Sequence, residues 1–248
     1  VNITAYTLLA FAIGAACACV GLILGTLTLS GLGFKFSGAV IDLAGSVGDL
    51  IRSFDPTGLV TENGAKVFFG LLFVAIACIL MGTGIPTTPT YIILASIAAP
   101  ALATLGVPLL ATHFFVFYYG VLADVTPPVA LAAYAAAGIA GSEPMRTGLT
   151  AFRLSMGKAL VPFMFTYTPA LLFIDFAWAP FVSAIVAGVI GILALSAAYT
   201  RWWAMTITRV EQVALTVGGL ILVFNQLWLN VIGIAIVALG VWSATSTG

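Results

Sequence analysis

The chain has 248 residues, 62% of them hydrophobic and only 6% charged, with a mean hydropathy of +1.21. Soluble domains carry about 25% charged residues, so composition alone excludes an ordinary soluble domain and places the chain in a membrane. Eight basic residues balance eight acidic ones, which argues against nucleic acid as a partner.

In chain order, Ile3–Leu29 is apolar and long enough to span, because a helix needs about 20 residues to cross a bilayer core. Its end turns polar and Gly-rich at 25–31, and residues 1–33 read as one transmembrane segment. The chain begins at Val1 without a signal-peptide pattern, which reads as a piece of a longer polypeptide with membrane segments upstream. Cys17, Cys19 and Cys78 sit in apolar runs and read as small buried hydrophobes; Cys17 and Cys19 lack metal-site spacing.

Residues 34–58 carry Phe36, Val40, Leu43, Val47, Leu50 and Phe54 at helical spacing, with Lys35, Asp42, Asp49 and Arg52 between them. This predicts an amphipathic arm lying in the membrane interface and ended by Asp55-Pro56 and Gly58. Residues 66–110 read as a re-entrant hairpin. Val67–Leu80 is too short an apolar run to cross, Met81–Pro89 interrupts it, and Thr90–Ala99 returns as far as Pro100.

Residues 113–140 are long enough to span but are interrupted at Thr126-Pro127-Pro128. The prolines lack N–H donors, so the carbonyls of Ala123 and Asp124 are expected to be free, with the second helical half starting near Pro128. Residues 159–244 read as further transmembrane helices: 159–179 and 181–199 turning at Pro180, then two shorter spans parted near Asn225-Gln226. Arg146, Arg153 and Lys158 form one basic cluster and Arg201 and Arg209 another. Two intervening spans put both on one side, taken as cytoplasmic, so the hairpin opens from the outer side. The fold class expected is all-α and polytopic.

Irregular backbone at membrane depth persists only where it lines a cavity or is buried in protein, so the two interruptions are the candidate site. At the first, Gly82 and Gly84 allow tight backbone geometry and Thr83, Thr87 and Thr88 bring hydroxyls. At the second, Ala123, Asp124 and Thr126 offer carbonyl, carboxylate and hydroxyl oxygens. Gly82, Thr83, Gly84, Thr87, Ala123, Asp124 and Thr126 are the expected sodium ligands. Thr87, Thr88, Pro127 and Pro128 are expected to face a substrate carboxylate at positive helix ends. Asp124 serves equally as a cation ligand or as a cap on the helix that follows. His113 reads as an interface residue, Tyr118 and Tyr119 as packing, and Trp202 and Trp203 as part of an aromatic belt. No hydrolase, protease or phosphate-loop motif is present, which argues against an enzyme, and no cofactor beyond a coupling sodium ion is expected.

Met81-Gly-Thr-Gly-Ile-Pro-Thr-Thr-Pro-Thr-Tyr91, His113-Phe-Phe-Val-Phe-Tyr-Tyr-Gly120 and Leu122-Ala-Asp-Val-Thr-Pro-Pro-Val-Ala-Leu-Ala-Ala-Tyr-Ala-Ala-Ala-Gly-Ile-Ala140 resemble the large subunit of tripartite ATP-independent periplasmic (TRAP) transporters. The likeness is to the branch of fused permeases that work with TAXI-type receptors. It runs from about Gly21 to Leu172 and is most specific over 81–140. It implies a sodium-driven elevator half in a bacterial inner membrane, with 82–88 as the outer hairpin tip, 124–128 as the facing unwound helix and 36–54 as the linking arm. It also implies a periplasmic solute receptor, a small membrane subunit or its fused equivalent, and a small carboxylate substrate. The polar segment 55–64 is longer than that pattern leads one to expect, and the first hairpin is absent. The alternatives are a receptor-independent divalent-anion/sodium symporter, whose Ser-Asn-Thr tip is missing here, and a channel or structural membrane subunit.

Overall fold

The computed structural model describes residues 3–54, 61–84, 87–203 and 205–246. It falls into two compact units, residues 1–121 and 122–248. Four helices are long and apolar enough to cross a membrane, or five if one bent pair counts as a span. The architecture is all-α and polytopic, apart from one short β-pair.

In the first unit α1 (Ile3–Leu29) leads through Gly31, at φ 65°, into α2 (Leu32–Ser53). Cys19 on α1 is exposed and not buried as expected, whereas Cys78 is buried. The buried face of α2 is Ser37, Val40, Ala44 and Gly48. Of the apolar stripe seen in the sequence only Val40 is buried, and Leu50 and Phe54 stay 59% and 79% exposed. The physical reason is close approach. A Cβ at Gly48 would stand 3.2 Å from the Ala65 Cβ, so small residues make the contact and the large ones are left outside. The helix ends at Ser53 with Phe54 as its cap, and Asp55, Pro56 and Gly58 lie outside the described residues.

Helix α3 (Glu62–Gly82) begins before the apolar run because Thr61 caps it, accepting the Gly64 N–H at 3.2 Å. Glu62 also pairs with Lys66 one turn on, and with Arg52 of α2 at 3.4 Å. The polar first turn brings the arm to 21 residues, about 32 Å, rather than the short piece expected from apolar residues alone. Its partner α4 (Thr87–Thr104) runs straight through Pro100, which was expected to stop it. The actual stop is Gly106, at φ +81°. There the Val107 N–H reaches the Leu102 carbonyl and the Gly106 N–H reaches that of Ala103, the double closure that ends many helices. Leu105, just past the end of α4, packs on Gly70 near the start of α3, so the two helices fold back on each other; both are long and apolar enough to cross a membrane, against the expectation of an arm too short to do so. Helix α5 (Leu109–Leu122) lies against α4 where Gly120 meets Leu94 and Thr90.

The second unit opens with the 3-10 turn Ala123–Val125, then α6 (Leu131–Ala140) and α7 (Pro144–Ser155). The segment 144–155, which carries Arg146 and Arg153 of the first basic cluster, is thus helical. Glu143 accepts the Met145 and Arg146 N–H groups at 3.0 and 2.7 Å, and Pro144 sits at the first helical position, where its missing donor costs nothing. Residues 159–179 are not one span. They form a 3-10 turn (Lys158–Leu160), a short α8 (Val161–Tyr167) and a second 3-10 turn (Pro169–Leu172), followed by Phe173 and Asp175 in left-handed conformation. Helix α9 (Trp178–Thr200) then starts before Pro180, which lies in its first turn and so breaks nothing.

A β-pair, β1 (Trp202–Trp203) and β2 (Met205–Thr206), links α9 to α10 (Arg209–Ile221). After the turn Leu222–Phe224 the chain breaks at Asn225, φ 42°, before α11 (Leu227–Ser246). The Asn225 amide closes that break by donating to the Thr168 hydroxyl and the Pro180 carbonyl, both at 3.2 Å. Glycine brings these helices together almost backbone to backbone: a Cβ at Gly191 would stand 3.3 Å from the Gly219 carbonyl oxygen, and one at Gly218 would stand 3.1 Å from that of Gly233. Gly157 packs on Ile192 and Ser196, which brings Lys158 to the same end of this unit as Arg201. A short α8 replaces one of the two expected spans between the basic clusters.

Candidate functional site

The hairpin tip belongs to the first unit. Helix α3 ends at buried Gly82, and Thr83 leaves the helix in an extended conformation at φ −66°, ψ 122°. The Thr83 hydroxyl turns back to donate to the Leu80 carbonyl at 2.9 Å. Gly84 adopts φ +80°, a conformation that a side chain would strain, and here its lack of a Cβ is required. Ile85 and Pro86 of the expected tip lie outside the described residues. Thr87 and Thr88 open α4 and are exposed, while Thr90, a residue not singled out from sequence, is 2% exposed. One turn on, the Tyr91 hydroxyl and the Nδ1 of His113 stand 3.0 Å apart, tying α4 to α5. His113, read from sequence as an interface residue, therefore has a specific partner that sequence could not supply.

The second interruption belongs to the other unit and follows from its covalent chemistry. In a helix the carbonyl of residue i accepts from the N–H of i+4, or of i+3 in a 3-10 turn. For Ala123 the i+4 position is Pro127, which has no hydrogen, but the i+3 donor Thr126 exists and is used at 3.0 Å. For Asp124 both positions, Pro127 and Pro128, are prolines. Its carbonyl can receive neither bond, and it accepts none among the described residues. So of the two carbonyls expected to be free, that of Ala123 is engaged and that of Asp124 is open.

Thr126 is 8% exposed, and its hydroxyl donates to the Leu122 carbonyl at 2.9 Å. With its proton committed there, the oxygen presents only lone pairs to its other side. The Asp124 carboxylate is half-buried and makes no hydrogen bond or ion pair among the described residues. A carbonyl, a hydroxyl oxygen and a carboxylate thus lie within three consecutive residues, the oxygen-only donor set suited to a hard cation. No cluster of three or more His, Cys, Asp or Glu side chains occurs among the described residues.

Beyond Thr126 the chain makes a cis peptide at Pro127-Pro128 and a turn closed by the Ala130 N–H on the Thr126 carbonyl at 3.1 Å. Helix α6 starts at Leu131, three residues later than expected, because Ala130 is still left-handed at φ 32°. The positive helix end therefore lies past Pro128, and the Pro128 carbonyl is taken by the Tyr134 hydroxyl at 2.6 Å. Helix α7 backs this turn: a Cβ at Gly148 would meet Tyr134 at 3.0 Å, Ala130 at 3.4 Å and Pro127 at 3.6 Å. Tyr134 and Gly148 position the interruption, and neither stood out in sequence. The available signal was that Tyr134 is the one polar side chain in an alanine-rich helix.

The family model described as "Tripartite ATP-independent periplasmic transporter, DctM component" matches residues 3–180. That span takes in both interruptions and stops in the first turn of α9. No curated protein and no solved structure matches the chain. A polytopic helical chain with two interrupted helices, matched by that family model over well more than half its length, belongs to the DctM family of TRAP transporter membrane permeases.

Proposed function

We propose that the chain is the sodium-coupled part of a receptor-dependent permease that imports a small organic carboxylate. The observation that carries this is the interruption at 123–128, where two adjacent prolines leave the Asp124 carbonyl without a helical donor beside a buried Thr126 oxygen and the Asp124 carboxylate. Sodium is held by neutral oxygens with little added charge, and this turn supplies them from backbone and hydroxyl. Within the first unit, the tip residues Gly82, Thr83, Gly84 and Thr87 are oxygen donors proposed for sodium in their own right. A substrate carboxylate is proposed for Thr87 and Thr88 at the N-terminal end of α4 in the first unit, and for Pro127 and Pro128 at the turn in the second.

In this reading α2, with Leu43, Leu50 and Phe54 left exposed, lies in the interface as an arm, and the hairpin moves with the elevator. Membership in the family supports a periplasmic solute receptor and a small membrane subunit, or its fused equivalent, as partners. The TAXI-type fused branch of a bacterial inner membrane is the setting we propose.

The test is thermal unfolding of the complete, detergent-solubilised permease in NaCl against KCl at matched ionic strength, with Thr126→Val alongside. A ligand at about 100 times its dissociation constant stabilises the native state by roughly 2.7 kcal/mol. A shift with sodium only, lost in Thr126→Val, supports the reading. Identical curves in both salts overturn it.

A further inference from the structure

We propose that the groove between α1, α2 and the hairpin in the first unit holds an acyl chain of an anionic phospholipid, with Lys35 binding its phosphate. The groove has a volume of about 540 Å³ and is walled by Ile23 and Leu27 of α1, Leu32 and Phe36 of α2, Met81 of α3 and Ile93 of α4. Every one of these is apolar. The single charge on the lining is Lys35.

Among the described residues no acid forms an ion pair with that ammonium. The ion pairs formed by Asp49, Arg52, Glu62 and Lys66 all lie toward the far end of α2, and Lys35 joins none of them. The remaining acid of α2, Asp42, stands about two turns along the helix. A lysine whose stem follows an apolar wall carries its charge out to headgroup level, where anionic lipid phosphates are its natural counter-ions.

Charge separates a lipid from a covering apolar helix, because the otherwise apolar wall carries one ammonium that an apolar helix leaves without a counter-ion. A phospholipid also brings both complements at once, a chain for the wall and a phosphate for the ammonium. Because the groove is walled by Met81 and Ile93, one from each hairpin arm, an occupant lies directly against the element that carries the tip.

The inference rests on the chain lying in a bilayer and not on sodium coupling, so its test uses no sodium gradient. A benzophenone side chain is placed at Ile23, and in a second variant at Leu32, groove-wall residues 43% and 47% exposed. The complete permease is reconstituted in vesicles of phosphatidylcholine and phosphatidylglycerol, each with a clickable acyl chain in turn, and irradiated. Phosphatidylglycerol adducts should exceed phosphatidylcholine adducts. Lys35→Gln should cut the former about fivefold, the weight of one lysine at an anionic surface, and leave the latter unchanged, with Lys35→Arg restoring the excess. Equal labelling by both lipids, or no response to Lys35→Gln, overturns the proposal. So do adducts to protein in place of lipid, which would show a polypeptide segment covering the groove.

Discussion

The two interruptions differ in how far glycine and proline each contribute. At the tip, Gly84 supplies a left-handed turn, and one proline, Pro86, stands where the Gly82 carbonyl would find its helical donor. At 126–130, prolines delete donors, so the break is written into covalent structure and leaves an acceptor open at Asp124. The tip presents the N–H groups that start α4 together with hydroxyl and carbonyl oxygens, whereas the double-proline turn presents chiefly oxygens. The comparison teaches that similar-looking polar interruptions need not offer the same ligands.

The sharpest way to break that comparison is Thr126→Val. It removes a buried hydroxyl that serves the Leu122 carbonyl, so a loss of about 1–3 kcal/mol is expected in chemical unfolding, together with loss of sodium-dependent stabilisation. Thr83→Val at the tip, where the hydroxyl bond to Leu80 is less buried, should cost less and weaken the sodium response by less than Thr126→Val does. If the two variants behave alike, the distinction between the interruptions fails.

Gly84→Ala tests the conformational half of the contrast. A side chain at φ +80° costs about 1–2 kcal/mol, read as a lower melting temperature in either salt. Pro128→Ala tests the covalent half by returning an N–H to the i+4 position from Asp124. A helical bond formed there would raise stability in KCl by about 1 kcal/mol while weakening the response to NaCl, measured on the same instrument.

The smallest effect is expected at a helix start that is already closed. Glu211 accepts the Thr208 N–H at 2.8 Å and the Ser243 hydroxyl at 2.9 Å, while Thr208 caps the Glu211 N–H in return. The backbone N–H of Thr208 is the main cause holding this carboxyl below its usual range, with burial opposing it. A carboxylate whose folded pKa is lowered contributes stability that is full above its unfolded value, about 4.3, and is lost as pH falls through the folded value. Unfolding measured between neutral and acid pH should therefore show a decline that Glu211→Gln flattens. An unchanged pH profile in that variant would remove the cap as its source.

Much of the architecture was legible because composition and proline speak locally. The bounds of α1, the interruption after Val125 and the break at Asn225 follow from apolar runs and from residues that change backbone chemistry wherever they stand. The arms of the hairpin were underestimated because a helix starts at its cap and not at its first apolar residue, as Thr61 and Glu62 show. The amphipathic stripe of α2 was a poor guide to its packing face. Between helices in a membrane, close approach selects Ser37, Ala44 and Gly48 over Leu43 and Leu50.

The sequence by itself determined that this is a membrane chain with two interrupted helices. It also determined which carbonyl the prolines strip of donors, since a missing N–H is missing in any fold. Only the tertiary structure decided that Thr126 engages Leu122 and Ala123, that Tyr134 takes the Pro128 carbonyl, that Gly148 lets α7 back the turn, and that Tyr91 meets His113. Those pairings depend on which surfaces of packed helices come within a hydrogen bond of one another, and no local pattern of residues carries that distance.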